Sequence, residues 1–313
     1  MKKLIFAMAA VVALAACSKE QTLVTPQPDA IGFGQPFIEN ATRATDPTYG
    51  TTNKLTKFNV YGTVKGTAGT VNIYDGVVVT GTVGTADWTH DAQYNQYWIP
   101  GADYSFAAVV DADAVAQDGY KMPTALTYNT AGQKDLLFAT AAVDDAVANQ
   151  GRVNFNFEHL LSKAQFTVTS NAMGGYYHSV TGITVSNFAT GTYTIAYADT
   201  NKDGKDDGAW AGTTAKDIEF GNVTEVTAAS GAKTNATQML LVPNATQFNV
   251  TFTVELFKNG TKLGTETKTI PVDTDLVKGN SYNFTIACSV GNPIKFGVTN
   301  DPTWGDSTDV AIQ

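Results

Sequence analysis

A short stretch rich in acidic and amide side chains has the ligand spacing of a calcium-binding loop. Counting from Asp199, side-chain oxygens recur at the first, third, fifth and ninth positions, and glycine stands at the sixth. Ca²⁺ is a hard cation that takes about six to eight oxygen ligands, and a glycine at the sixth position permits the sharp turn of such loops. The expected ligands are Asp199, Asn201, Asp203 and Asp207, with the backbone carbonyl of Lys205.

The same loop departs from the EF-hand pattern in one respect. Trp210 occupies the twelfth position, where a bidentate glutamate belongs, and no helix is expected on either side. A solvated hairpin loop explains these residues as well as a metal site does, so both interpretations stay open. Bound calcium would stiffen the loop and would not catalyse a reaction.

The N-terminus has the three parts of a secretory signal peptide. Two lysines follow Met1, an apolar stretch comes next, and small residues lead to Cys17. The stretch is too short for a permanent transmembrane helix. Leu14–Cys17 resembles a bacterial lipobox, which predicts cleavage before Cys17 and lipid attachment to that cysteine; an ordinary signal peptide is the alternative. The following Ser18–Glu20 resembles a signal for the outer membrane surface.

The remaining residue patterns argue against an enzyme. His90, His159 and His178 lie far apart and lack zinc-ligand spacing, and the chain has neither a nucleophile elbow nor a glycine-rich phosphate loop after a strand. The net charge of −9 makes nucleic acid an unsuitable partner. Because Cys17 is assigned to lipid, Cys288 has no partner for an internal disulfide.

The elements that must position any functional residues are strands. Apolar residues alternate with polar ones along Phe248–Leu256, Tyr282–Val290 and Val153–Phe157, which is typical of sheets with one buried face. Cys288 is in phase with the apolar set and is therefore expected in the core. Asn259–Gly260 predicts a tight hairpin turn. Shorter strand-like runs occur at Lys57–Val64, Val71–Val79, Tyr94–Ile99, Tyr104–Val110, Leu136–Ala142, Ala164–Thr169, Gly182–Val185, Tyr193–Ala198, Met239–Val242 and Thr265–Val272.

These patterns predict an all-β protein made of several segments. After the signal peptide, 1–16, comes a tether and strand-like piece, 17–43, whose Thr-, Gln- and Pro-rich part cannot order itself. A polar, Ala-rich stretch near 150 suggests a boundary between two β-sandwich domains of ordinary size. The predicted division is 44–154, 155–291 and a C-terminal extension, 292–313.

Several motifs in sequence order resemble the fimbrillin family, the subunits of type V pili. The resemblance covers essentially the whole chain and implies two tandem transthyretin-like β-sandwich domains and polymerisation by strand exchange between subunits. The motifs are Tyr97–Gly101 followed by Tyr104–Ala107, Asp135–Ala139, the central Phe155–Val168, Leu240–Pro243 and Lys278–Thr285.

The resemblance also implies proteolytic processing near the N-terminus. Asn40–Pro47 is polar and rich in turn-forming residues, which is typical of an exposed, cleavable segment. In the family a trypsin-like protease cuts a surface precursor after such an arginine, here between Arg43 and Ala44. The cut would remove a short strand with in-phase apolar residues Ile31 and Phe33; a solvated arginine without a role is the alternative.

The C-terminal extension offers a replacement strand. We expect it to fill the groove of the next subunit, because an open sheet edge is a template for another chain. The alternative is that the tail, above all its first part, is the last strand of its own domain. The in-phase apolar residues are Ile294, Phe296 and Val298, followed by Val310 and Ile312.

The predicted function is therefore a structural shaft subunit of a cell-surface fimbria that supports adhesion. Its expected partners are copies of itself or related pilin subunits, the outer membrane before processing, a trypsin-like protease, and surface ligands on host or bacterial cells. Two alternatives remain: a non-polymerising surface lipoprotein that binds glycans or host ligands, and a tip or accessory fimbrial subunit. No cofactor is required beyond the candidate calcium.

Overall fold

The computed structural model describes residues 29–38, 55–82, 88–148, 150–197, 206–235, 238–243 and 247–302, together with the backbone of 308–310. The all-β prediction is confirmed: only two single-turn 3₁₀ segments, Ala92–Tyr94 and Thr130–Gly132, interrupt the strands within these ranges. No helix among them is long and apolar enough to cross a membrane. The strands are β1 Phe37–Ile38, β2 Lys57–Gly66, β3 Gly69–Thr80, β4 Asp103–Val110, β5 Ala114–Gln117, β6 Pro123–Asn129, β7 Leu137–Val143, β8 Asn156–His159, β9 Ser162–Ser170, β10 Tyr176–Thr194, β11 Ala209–Glu219, β12 Val223–Val226, β13 Lys233–Thr234, β14 Met239–Leu241, β15 Phe248–Lys258, β16 Thr261–Val272, β17 Ser281–Cys288, β18 Lys295–Asp301 and β19 Thr308–Val310.

The first sheet has the strand order β1-β8-β7-β4-β2-β3. Its central strand β4 is buried at almost every position, because the sheet is covered on both faces. Tyr104 and Phe106 face a first core, whereas Ala107 and Val109 face a different cluster toward the C-terminal half. A strand buried on both faces lacks polar alternation, which explains its nearly continuous apolar run.

The second and third sheets pack around a separate core. The second has the order β16-β15-β10-β6-β5, with β11 and β12 also paired to β10, and the third has the order β13-β9-β17-β18-β19, with β14 also paired to β9. Phe252 and Val180 of the second sheet belong to the same core as Phe166 and Phe284 of the third. The alternation along β15 and β17 places Phe252 and Phe284 inward. We call this core the second core.

A third cluster joins the two halves of the chain. The β5–β6 hairpin comes from the N-terminal half, yet β6 pairs with the C-terminal half of β10 in the second sheet. The cluster contains Phe138 of β7, Tyr193 of β10 and Leu160–Leu161 between β8 and β9. Strand β8 pairs with β7 in the first sheet. The strands therefore do not separate into two groups at residue 154.

Local predictions fare differently. The Asn259–Gly260 turn is confirmed, with φ of 47° and 82° between β15 and β16, and so is Cys288 as a buried core residue whose thiol pKa burial raises to about 12. The expected strand at Tyr94–Ile99 is wrong. Its first residue closes a 3₁₀ turn that the Asp91 side chain caps by accepting from the Gln93 amide, and the remainder is not a regular strand.

A polar network lies beside the third cluster. Lys278 Nζ is 2.8 Å from Glu158 Oε2 and donates to Tyr193 Oη at 2.9 Å. It also donates to the backbone carbonyl of Asp206, whose own amide donates to Glu158 Oε1 at 3.1 Å. The network therefore connects β8 and β10 to the loop before β17. Burial raises the pKa of Glu158, and the Lys278 ammonium opposes this rise.

Lys278→Met should destabilise the protein by about 3 kcal/mol at neutral pH, because it leaves the Glu158 carboxylate buried without its cation. The pKa of Glu158 should then rise further, so the folded state holds a proton that the unfolded state releases. The loss should therefore shrink as the pH falls toward 4.5, the ordinary value of a glutamate. Urea unfolding at several pH values measures both effects.

Lys262→Met is the matched control, since Lys262 pairs with Glu255 at an exposed site. Its cost should stay below about 1 kcal/mol at every pH. Equal losses for the two variants would contradict the structural role of the Glu158 network.

Candidate functional site

The segment 29–38 lies inside the first half of the molecule and has hydrogen-bonding neighbours on both sides. On one side Gly34 N donates to Val153 O at 2.9 Å, and Val153 N donates to Gly32 O at 2.9 Å. On the other side Ile31 N donates to Gln96 O at 2.8 Å. At its end β1 pairs in parallel with β8. Removing this segment would leave unpaired backbone groups along both flanks.

Its side chains alternate between the core and the surface. Ile31 and Phe33 are 2% and 1% exposed, whereas the preceding residue, Ala30, is exposed. Phe33 lies among five other rings, with centroid distances between 5.7 and 6.5 Å: those of Phe58, Tyr74, His90, Phe106 and Phe155. Phe33 therefore completes the first core from a position upstream of the candidate cleavage site.

The face of this segment opposite Ile31 and Phe33 carries two glycines, the half-buried Gly32 and the buried Gly34. A Cβ at Gly32 would lie 3.5 Å from Arg152 Cγ, an ordinary van der Waals distance, so alanine fits there. A Cβ at Gly34 would lie 2.0 Å from Asn154 Oδ1, so any larger residue needs that side chain to move. We call the space occupied by residues 30–34 the slot. It accepts two large inward side chains separated by a small residue.

The first part of the C-terminal extension belongs to the chain's own third sheet, which differs from the expectation that it is donated. Strand β18 pairs with β17 over its whole length, from Lys295 to Asp301. The Phe296 ring stacks on Phe252 and on Phe284, each at 6.1 Å, and Val298 is buried. Ile294 packs against the same core. Withdrawing these residues would open the second core.

The last described part of the extension is paired to β18. Strand β19 pairs with β18 at three positions, which join Val298 to Val310, Thr299 to Asp309 and Asn300 to Thr308. It is the outermost strand of the third sheet. Ile312 lies outside the described residues.

Several other expected site residues also fall outside the described residues. These are Cys17, Arg43 and Ala44, together with the calcium-loop residues Asp199, Asn201, Asp203 and Lys205. Within the described part of the chain, no group of three or more His, Cys, Asp or Glu side chains could hold a metal ion. Asp207 stands next to Asp206, whose carboxylate accepts from Ala196 N at 2.8 Å and Gly208 N at 2.9 Å. Asp206, which the sequence did not single out, thus fastens the base of this loop.

The histidines lie in separate surroundings. His159 Nδ1 is 2.7 Å from Asp135 Oδ2 in a fully buried pair. His178 Nδ1 is 2.7 Å from Ser170 Oγ, and burial lowers the pKa of this imidazole. His90 packs against Phe33.

The three tryptophans in the described part of the chain offer little surface for binding a sugar. Trp88 and Trp98 are buried in the first core, and Trp210 donates to Leu160 O at 2.7 Å. Tyr94 and Tyr97 remain exposed.

Comparison with known proteins identifies the family to which this architecture corresponds. The fold is similar to that of a fimbrial protein from Bacteroides vulgatus, with a TM-score of 0.60 and 14% identity over 87% of this chain and 98% of that one. It is also similar to candidate cell adhesion proteins from Bacteroides uniformis (TM-score 0.53, 17% identity, 87% and 98% covered) and Bacteroides ovatus (TM-score 0.54, 14% identity, 91% and 99% covered). No curated protein matches the sequence. Residues 42–302 match the fimbrillin-like family, and the chain belongs to that family.

Proposed function

We propose that this chain is the shaft subunit of a cell-surface fimbria and that it polymerises by exchanging strands between copies. The precursor is anchored in the outer membrane by lipid on Cys17, and a trypsin-like protease then cuts between Arg43 and Ala44. The observation that carries the proposal is the position of Ile31 and Phe33. They complete the first core and precede the proposed cut, so their release exposes an apolar slot that needs a replacement.

The replacement strand is Val310–Ile312 of a second copy. Val310-Ala311-Ile312 repeats the pattern of Ile31-Gly32-Phe33, with two apolar side chains separated by a small residue. Ala311 suits the Gly32 position, where a Cβ makes only an ordinary contact. We expect the donor to enter the slot in the same direction as residues 30–34. Ile312 then takes the position of Phe33, and the donor pairs in parallel with residues 153–157, as the resident strand does.

The released part of the tail begins after Asp301. Strand β18 is held by the second core, where burying Val298 contributes about 1.5–3 kcal/mol and the partly buried Phe296 adds to it. Among the described residues, β19 pairs with β18 at three positions. The slot offers backbone partners on two sides and a ring-lined interior, which favour a strand bound there.

The proposed cut can be tested with Arg43→Lys. An arginine-specific protease should convert the untrimmed wild-type protein into polymers that appear as detergent-resistant ladders on a gel. The untrimmed variant should stay monomeric, because this protease does not cut after lysine. Trypsin cleaves after either residue and should restore ladders in the variant. Ladders from the variant under the arginine-specific enzyme, or none from the wild type under either enzyme, would contradict processing at this bond.

The removable strand can be tested with Phe33→Ala. The untrimmed variant should lose about 3–5 kcal/mol of stability, because the substitution leaves a cavity among five rings. Trimmed polymers of the variant and the wild type should unfold at the same denaturant concentration, since neither contains residue 33. Phe252→Ala is the control that should destabilise both forms. Weakened polymers of the Phe33 variant would show that the segment remains in place.

The donor strand can be tested with Ile312→Asp, which places a charge in the apolar slot. Trimmed protein carrying this variant should stay monomeric, whereas Ala311→Gly should still assemble, because glycine is the residue that the slot already holds. Before trimming, both variants should have melting temperatures within a few degrees of that of the wild-type precursor. Polymer yield on native gels measures the outcome, and unchanged assembly of the aspartate variant would exclude this tail as the donor.

A further inference from the structure

Three apolar side chains are exposed at the upstream end of the slot. Tyr97, Ile99 and Val147 are 53%, 56% and 51% exposed, although they lie next to the first core. Tyr97 and Ile99 flank the buried Trp98, so the alternation turns both of them away from that core. We call these three residues the rim patch.

The rim patch surrounds the point where the chain enters the slot. Asp29 N donates to Ala148 O at 2.8 Å, and Trp98 N donates to Asp29 O at 3.2 Å. Ala30 forms an antiparallel bridge with Tyr97 and is itself exposed. A chain that enters the slot therefore passes between the segment that carries Tyr97 and the segment that carries Val147.

The structure assigns this patch to Trp304 of the next subunit, an inference that rests on the proposed strand exchange. Trp304 precedes Val310 by six residues, so it corresponds to a position six residues before Ile31. Six extended residues span about 20 Å at about 3.3 Å per residue, so Trp304 reaches the patch if the chain turns back just outside the slot. Gly305 provides the backbone freedom for such a turn.

The removed leader supports the same assignment. Leu23 and Val24 stand eight and seven residues before Ile31, so an apolar residue precedes the slot strand at a similar distance in both the leader and the tail. Cutting after Arg43 removes Leu23 and Val24 together with the slot strand. An aromatic side chain buries about 150–250 Å², which suits a patch of three exposed apolar residues. Trp304 thus becomes a second anchor that selects tails with an aromatic residue at this distance.

The test is a double-mutant cycle. The protein is the full chain after trimming at Arg43, and it carries Ile312→Asp so that it cannot donate its own tail. The probe is a fluorescently labelled peptide of residues 300–313, in wild-type form or with Trp304→Ala, and its affinity is measured by anisotropy. Trp304→Ala in the peptide and Tyr97→Ser in the protein should each weaken binding about tenfold. The two changes together should weaken it no more than either alone, because both remove the same contact.

Tyr120→Ser is the matched control, because Tyr120 is also 53% exposed but lies in the loop between β5 and β6. Its effect should stay within twofold, and Ile99→Ser should reproduce the Tyr97 loss. The inference would be overturned if the combined changes weakened binding by the product of the two single effects, or if the Tyr97 variant bound as well as the Tyr120 variant. Strand exchange would stand in either case. If the wild-type peptide does not bind the trimmed protein, both strand exchange and this inference fail.

Discussion

The insertion of Phe33 among the rings of the first core is the contact on which the rest of the molecule depends. Aromatic pairs at these distances add stabilisation beyond the area that they bury, and five such contacts converge on one side chain. The backbone of Phe33 forms bridges on both sides, to Trp88 and to Val153. A residue from outside the matched family region, 42–302, thus fills the centre of a core built by residues within it.

The central motif of the sequence acquires a structural meaning as the junction of the two halves. Its first part, β8, pairs in the first sheet, and its second part, β9, pairs in the third. Leu160 and Leu161 between them are fully buried in the third cluster. Glu158 is held by Lys278 from a distant loop. The motif is therefore explained by packing, by the ion pair of Glu158 with Lys278 and by the buried pair of His159 with Asp135.

The sequence predicted the fold where alternation was strong and failed where contacts are non-local. The inward sets of β15 and β17 were evident, because each strand buries only one face. Strand β11 was missed, since most of its side chains are exposed and no apolar periodicity marks it. The β5–β6 hairpin was missed too, and nothing local indicates that it pairs with a strand of the other half. The slot segment was visible only as two in-phase residues; its two-sided pairing and surrounding rings come from residues far along the chain.

Proteolysis is a suitable trigger for the proposed exchange because of how the resident strand competes with a donor. While residues 29–38 remain linked to the body, the strand has an effective concentration on the order of millimolar at its own slot. A donor tail at micromolar concentration cannot displace it. Cutting between Arg43 and Ala44 turns the same strand into a separate peptide that dilutes once it leaves. In the proposed scheme that peptide also carries the lipid on Cys17, so one cut at the cell surface would both open the slot and free the subunit from the membrane, and assembly would be confined to subunits that have reached the surface.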